Sequence, residues 1–111
     1  MDKLAQYRTY IEQILREYSA YKPSYGEVEV EIVIDHLHDH YQLLTVGWNK
    51  HQRIHGTLLH IDIRDGKIWI QQDGTEEGVA NRFVAQGVPK TDIVLGFQPP
   101  YKRPYTDFAT G

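Results

Sequence analysis

Apolar positions at Leu4, Tyr7, Ile11, Ile14, Leu15 and Tyr18 recur at steps of three and four, the spacing that gathers side chains on one side of a helix. This predicts a helix over 3–19, capped by Asp2 and carrying a Glu12 to Arg16 pair on its polar side. KPSYG, Lys22 to Gly26, supplies the breakers that end it.

The period then changes to two. Val28, Val30, Ile32 and Ile34 alternate with Glu27, Glu29, Glu31 and Val33, the pattern of a strand with one face on a core. A second strand is expected over about Tyr41 to Trp48, with Leu44, Val46 and Trp48 on one face, and NKHQR forms the connection to a third. In that third strand, about Arg53 to Ile63, Leu59, Ile61 and Ile63 face one way while His60 and Asp62 face the other. RDGK, Arg64 to Lys67, is a two-residue hairpin signal, because both central positions must tolerate positive φ. The fourth strand, Lys67 to Gln72, turns Ile68 and Ile70 inward and Trp69 and Gln71 outward.

After the strands the helical period returns. Thr75 is the expected cap, Glu76 and Glu77 belong near the positive end, and Val79, Ala80, Phe83 and Val84 make the apolar stripe. Gly87 and Pro89 end the helix. DIVLGF is a short strand or an extended packed segment, and the last stretch crosses the surface, held by Tyr101, Tyr105 or Phe108. The expected architecture is α+β in two layers: an antiparallel four-stranded meander flanked by an N-terminal and a C-terminal helix, within one domain over 1–111. Both helices cover one face of the sheet. The outer face is left partly open, and His60, Asp62, Trp69 and Gln71 on it form the expected protein-interaction surface.

Composition narrows the functional classes. Apolar residues make up 41% of the 111, and 12 Lys and Arg against 15 Asp and Glu give a net charge of −3, which disfavours autonomous high-affinity binding to nucleic acid. Without cysteine there are no disulfides, thiolate nucleophiles or zinc-thiolate sites. The opening MDKLAQYRTY is polar rather than a signal peptide, and no segment approaches the ~20 apolar residues of a membrane span. A cytoplasmic protein with no membrane association is expected.

The most conspicuous polar stretch is IDHLHDHYQLL, with His36, His38 and His40 at alternate positions beside Asp35 and Asp39. On a continuous strand the three rings would share the face of Val28 to Ile34, so a turn across Asp35 to Asp39 is expected instead. These side chains include metal-binding types, but no second ligand cluster is spaced to complete a site, and the stretch reads as a solvated turn without metal. His60 and Asp62 have the makings of an acid-base or nuclease-like pair, yet lack a lysine-bearing signature to place a substrate. No phosphate loop or nucleophile elbow is present. Lys102 and Arg103, beside Tyr101 and Tyr105, are the best positions for phosphate contact. No catalytic residue and no cofactor is expected.

LLTVGW at Leu43 to Trp48, HGTLLHIDIRDGKIWIQQDGTEEGVA at His55 to Ala80, and GVPKTDIVLGFQPPYKRPYTDF at Gly87 to Phe108 together resemble the XisI family, the cyanobacterial fdxN-element excision controlling factors. The resemblance spans nearly the whole chain but carries no catalytic motif. It implies a non-catalytic regulator of programmed DNA excision by site-specific recombination during heterocyst differentiation, working through an XisH-like protein, with DNA contact indirect or weak. The alternative is a DNA-binding or weakly catalytic nuclease-like component of the same two-protein module. Self-association through the open sheet face is a further expectation.

Overall fold

The structure is a computed structural model that describes residues 2–21 and 26–111. Helix α1, Lys3–Ser19, has the predicted bounds, and the Asp2 carboxylate accepts from the Leu4 amide at 3.3 Å. Its apolar stripe buries Tyr7, Ile11, Ile14 and Leu15. Glu12 lies 3.4 Å from His36 Nε2, so the predicted partner Arg16 gives way to a histidine of the following turn. The breaker segment at 22–25 lies outside the described residues.

Four antiparallel strands follow: β1 (Glu27–Asp35), β2 (His40–Asn49), β3 (Gln52–Arg64) and β4 (Lys67–Asp73). The Asp65-Gly66 hairpin has positive φ at both residues, 52° and 75°, as its sequence requires. Helix α2, Val79–Ala85, then reverses the chain and β5, Ile93–Leu95, pairs with β4 in parallel. The sheet is therefore mixed and five-stranded, in the order β1-β2-β3-β4-β5, rather than a four-stranded antiparallel meander. The fifth strand has only three residues, too few to show a period, and an intervening helix is the usual connection between parallel neighbours.

Both helices pack on one face. Tyr7, Ile11, Ile14 and Leu15 of α1 and Val79 and Phe83 of α2 share one apolar cluster with Tyr41, Leu43, Leu59, Ile61, Ile68, Ile70 and Ile93. In β2 the inward residues are thus Tyr41 and Leu43. Leu44, Val46 and Trp48 do share a face, but it is the outer one, with Trp48 51% exposed.

Helix α2 begins later than its sequence suggests. Asp73, not Thr75, closes its start: one carboxylate oxygen accepts from the Val79 amide at 2.8 Å, the other from the Thr75 amide at 2.9 Å. Glu76 and Glu77 consequently precede the helix, and Glu77 accepts from the Tyr18 hydroxyl at 2.6 Å. Gly87 ends α2 with φ 101°, and the Val88 amide reaches back to the Phe83 carbonyl at 3.0 Å.

Past β5 the chain folds across the β4–β5 end of the sheet. Ala109 bridges to Val94, and its amide donates to the Ile93 carbonyl at 2.8 Å. Phe108 packs against the core, whereas Tyr101 and Tyr105 project outward and are not anchors. No described helix is long and apolar enough to cross a membrane.

Candidate functional site

Two bulges set the chemistry of the outer face. In the β2–β3 ladder Leu44 pairs with Thr57 but Leu43 pairs with Leu59, so Leu58 is an extra residue. Beyond that shift His40 stands opposite Asp62 and Gln42 opposite His60. The β3–β4 ladder shifts in turn at Gln71, between the His60–Gln72 and Ile61–Ile70 pairs. Bulges re-aim side chains, and here they bring four polar groups together.

Asp62 lies at the centre, only 5% exposed. Its Oδ1 accepts from His40 Nδ1 at 2.8 Å and from His60 Nε2 at 2.9 Å, while Oδ2 accepts from Gln71 Nε2 at 3.3 Å. The hydrogen bond to Asp62 raises the His40 pKa above the usual histidine value, since the carboxylate stabilises the imidazolium. The cluster opens onto a shallow depression lined by Val33, Asp35, His40, Gln42 and His60. Chemically this is a buried carboxylate with two imidazoles, a donor set suited to proton relay or to holding a cation.

The expected surface of His60, Asp62, Trp69 and Gln71 is thus only partly exposed. His60, Asp62 and Gln71 meet, but Asp62 is buried beneath the imidazoles instead of presented to solvent. Trp69 pairs with Asp62 across the strands, and the guanidinium groups of Arg64 and Arg103 lie over its indole, 4.7 and 5.3 Å from the ring centroid. Gly111 lies beside the indole as well. Trp69 Nε1 is buried without a hydrogen-bond partner among the described residues.

Of the two cations considered for phosphate contact, Arg103 is turned inward: Nε donates to the Gln98 carbonyl at 3.0 Å while the guanidinium covers Trp69. Lys102 is exposed. The turn across Asp35 to Asp39 forms as expected, with Asp39 at φ 56°. Asp35 accepts from the Leu37 and His38 amides and from His38 Nδ1 at 2.8 Å, and the His38 hydrogen bond holds its pKa below the usual carboxylate value. His40 leaves this group: it begins β2 and belongs to Asp62.

Two features escaped the sequence. One is the His40–Asp62 contact. The other is the outer stripe of Leu44, Val46 and Trp48 along β2, flanked in register by Glu31, Glu29 and Glu27 of β1 and by Thr57, His55 and Arg53 of β3. Period-two alternation had grouped those three apolar residues but could not tell which way they faced.

A helix layer on one side of a mixed five-stranded sheet places the chain among α+β proteins. The family model for XisI protein matches residues 1–110, and the chain belongs to the XisI family. Among solved structures it is similar to a XisI-like protein from Anabaena variabilis, with 42% identity, a TM-score of 0.91, and coverage of 97% of this chain and 99% of that one. It is also similar to the fdxN element excision controlling factor XisI from Anabaena variabilis, with 36% identity, a TM-score of 0.87, and coverage of 99% and 100%. No curated protein matches.

Proposed function

We propose that this chain is an accessory factor that controls excision of a DNA element, without strand chemistry of its own, by docking onto an XisH-type companion protein. The observation that carries the reading is the end-to-end likeness to an excision controlling factor, which covers 99% of this chain and 100% of that one.

The docking face is the outer side of β1 and β2. An apolar row, Leu44, Val46 and Trp48, runs between an acidic rail of Glu27, Glu29 and Glu31 and the polar residues of β3. Trp48 at the end of this row is the aromatic anchor, and His60 stands beyond its other end, beside Gln42. A partner with an apolar ridge and basic residues beside it matches this face, and a central aromatic commonly dominates such contacts. Guanidinium groups are largely engaged internally: Arg8 with Asp39, Arg82 with Glu17, Arg53 over Trp48, and Arg64 and Arg103 over Trp69. That supports a protein partner over a phosphate backbone.

Co-expression with the companion from the same genome, followed by light scattering and calorimetry, tests the reading. A defined complex is expected, with W48A and V46K at least tenfold weaker and no cleavage of duplex DNA by the chain alone. Failure to bind the companion, together with tight and salt-dependent DNA binding, would establish the DNA-binding alternative instead.

A further inference from the structure

Asp62 has an unusual set of neighbours. Its carboxylate side chain is 7% exposed, yet among the described residues no lysine or arginine pairs with it; the partners on its oxygens are His40, His60 and Gln71. A buried carboxylate is costly unless a positive charge compensates it. One ring nitrogen each from His40 and His60 and an Asp62 oxygen all lie within 4.8 Å of one another. A tetrahedral zinc ion, with bonds of about 2.0–2.2 Å, holds its donors roughly 3.3 Å apart, so the two N···O distances of 2.8 and 2.9 Å need only a small opening to admit one.

We propose that His40, His60 and Asp62 form a binding site for a divalent transition-metal ion, zinc by donor type, with a fourth position open to the depression beside Val33, Asp35 and Gln42. Imidazole and carboxylate donors suit zinc and its neighbours rather than magnesium or calcium, which take oxygen ligands. Three protein ligands with an open position distinguish this from a closed structural site. Gln71 acts from behind: its amide donates to the second Asp62 oxygen at 3.3 Å and fixes the carboxylate, as ligand-orienting partners do. His40 is half exposed and His60 about one-third exposed, which leaves the ion a path from solvent. The site lies on the same outer face, beyond the Leu44 end of the apolar row, and its argument does not depend on the partner reading.

Untagged protein, freed of metal by chelation, is titrated with Zn²⁺ by calorimetry and with Co²⁺ by visible absorption. One equivalent should bind, and H40Q, H60Q and D62N should each weaken binding at least tenfold, while H51N at the far end of the sheet binds as the unmodified protein does. Because Trp69 adjoins Asp62 across the strands, Co²⁺ should quench the indole emission of a W48F variant, and this quenching should vanish with H60Q. D62N alters a buried group and its folding is checked by circular dichroism; the two histidine variants, at accessible positions, keep the test decisive if it unfolds. Absence of saturable binding, or equal binding by the H40Q/H60Q double variant and the unmodified protein, would overturn the proposal.

Discussion

Arg8 on α1 and Asp39 in the β1–β2 turn form a two-point ion pair, Nε to Oδ1 at 2.8 Å and Nη2 to Oδ2 at 3.1 Å. Asp39 also accepts from the Tyr41 hydroxyl at 3.0 Å, and its carbonyl accepts from the Ile63 amide at 3.1 Å. One residue thus ties the turn to the helix and to β3. D39N keeps the left-handed backbone, which asparagine tolerates, and removes the charge. A loss of about 1 kcal/mol is expected after allowance for the partly exposed Arg8. Urea denaturation of both proteins checks this, and the difference should shrink in high salt.

The same pair sets an acid limb. The Arg8 hydrogen bonds hold the Asp39 pKa below 3.8. At Asp92 burial pushes the pKa up, but hydrogen bonds from Tyr7 and Lys3 more than offset it, again leaving it below 3.8. Carboxylates depressed in the folded state contribute stability above their unfolded pKa, and this is lost as pH falls through the folded value. The stability gap between the unmodified protein and D39N should be constant above pH ~5 and close progressively below pH ~4. Thermal midpoints measured across that range check it; a gap that widens toward acid is the contrary result.

Gly47 provides a sharper test. Its φ is 158°, and a Cβ there would lie 2.0 Å from the Glu27 carbonyl oxygen and 2.7 Å from the Val28 Cα. These are backbone atoms of the paired strand, so relief requires β1 to move away from β2. G47A should cost more than about 2 kcal/mol. Gly56 has open space where its Cβ would be, and G56A should stay within about 0.5 kcal/mol. Denaturant midpoints of the two variants should differ in that order.

Arg103 pins the C-terminal stretch by donating to two carbonyls and covering Trp69. R103A should therefore expose the indole and red-shift its emission in a W48F background, with a loss of about 1–2 kcal/mol. R103K should restore little, because an ammonium group lacks the planar fork. An unchanged spectrum in R103A would show that the indole is held by other groups.

Helix α1 and the Asp65-Gly66 hairpin were legible because their signals are local: a sustained 3.6-residue stripe and a dipeptide that accepts positive φ. The outer-face site was not. Counting back from the Lys50-His51 turn without a bulge puts His40 opposite Ile61, on the buried side; the extra residue Leu58 moves it opposite Asp62. No residue type in TLLHID marks that insertion, so His40 was grouped with His36 and His38 by proximity in sequence. Leu44, Val46 and Trp48 were grouped on one face by alternation, which left open whether that face was the inner one. The core took Tyr41 and Leu43 instead, where α1 packs, and the tyrosine hydroxyl found Asp39. Alternation defines two faces, and only the packing of other elements decides which one is inside.

The two margins of the sheet differ. Ala109 bridges to β5, whereas among the described residues no strand lies beyond β1. Backbone donors and acceptors along β1 therefore offer a port for strand addition. If two chains met there edge to edge, each would cover the other's β1, and that contact would close on a pair. If a foreign strand took the port, it would be held there one to one. Control exerted through that margin would then be stoichiometric, with one copy silencing or enabling one partner, and its output would follow the ratio of the two proteins rather than the amount of either.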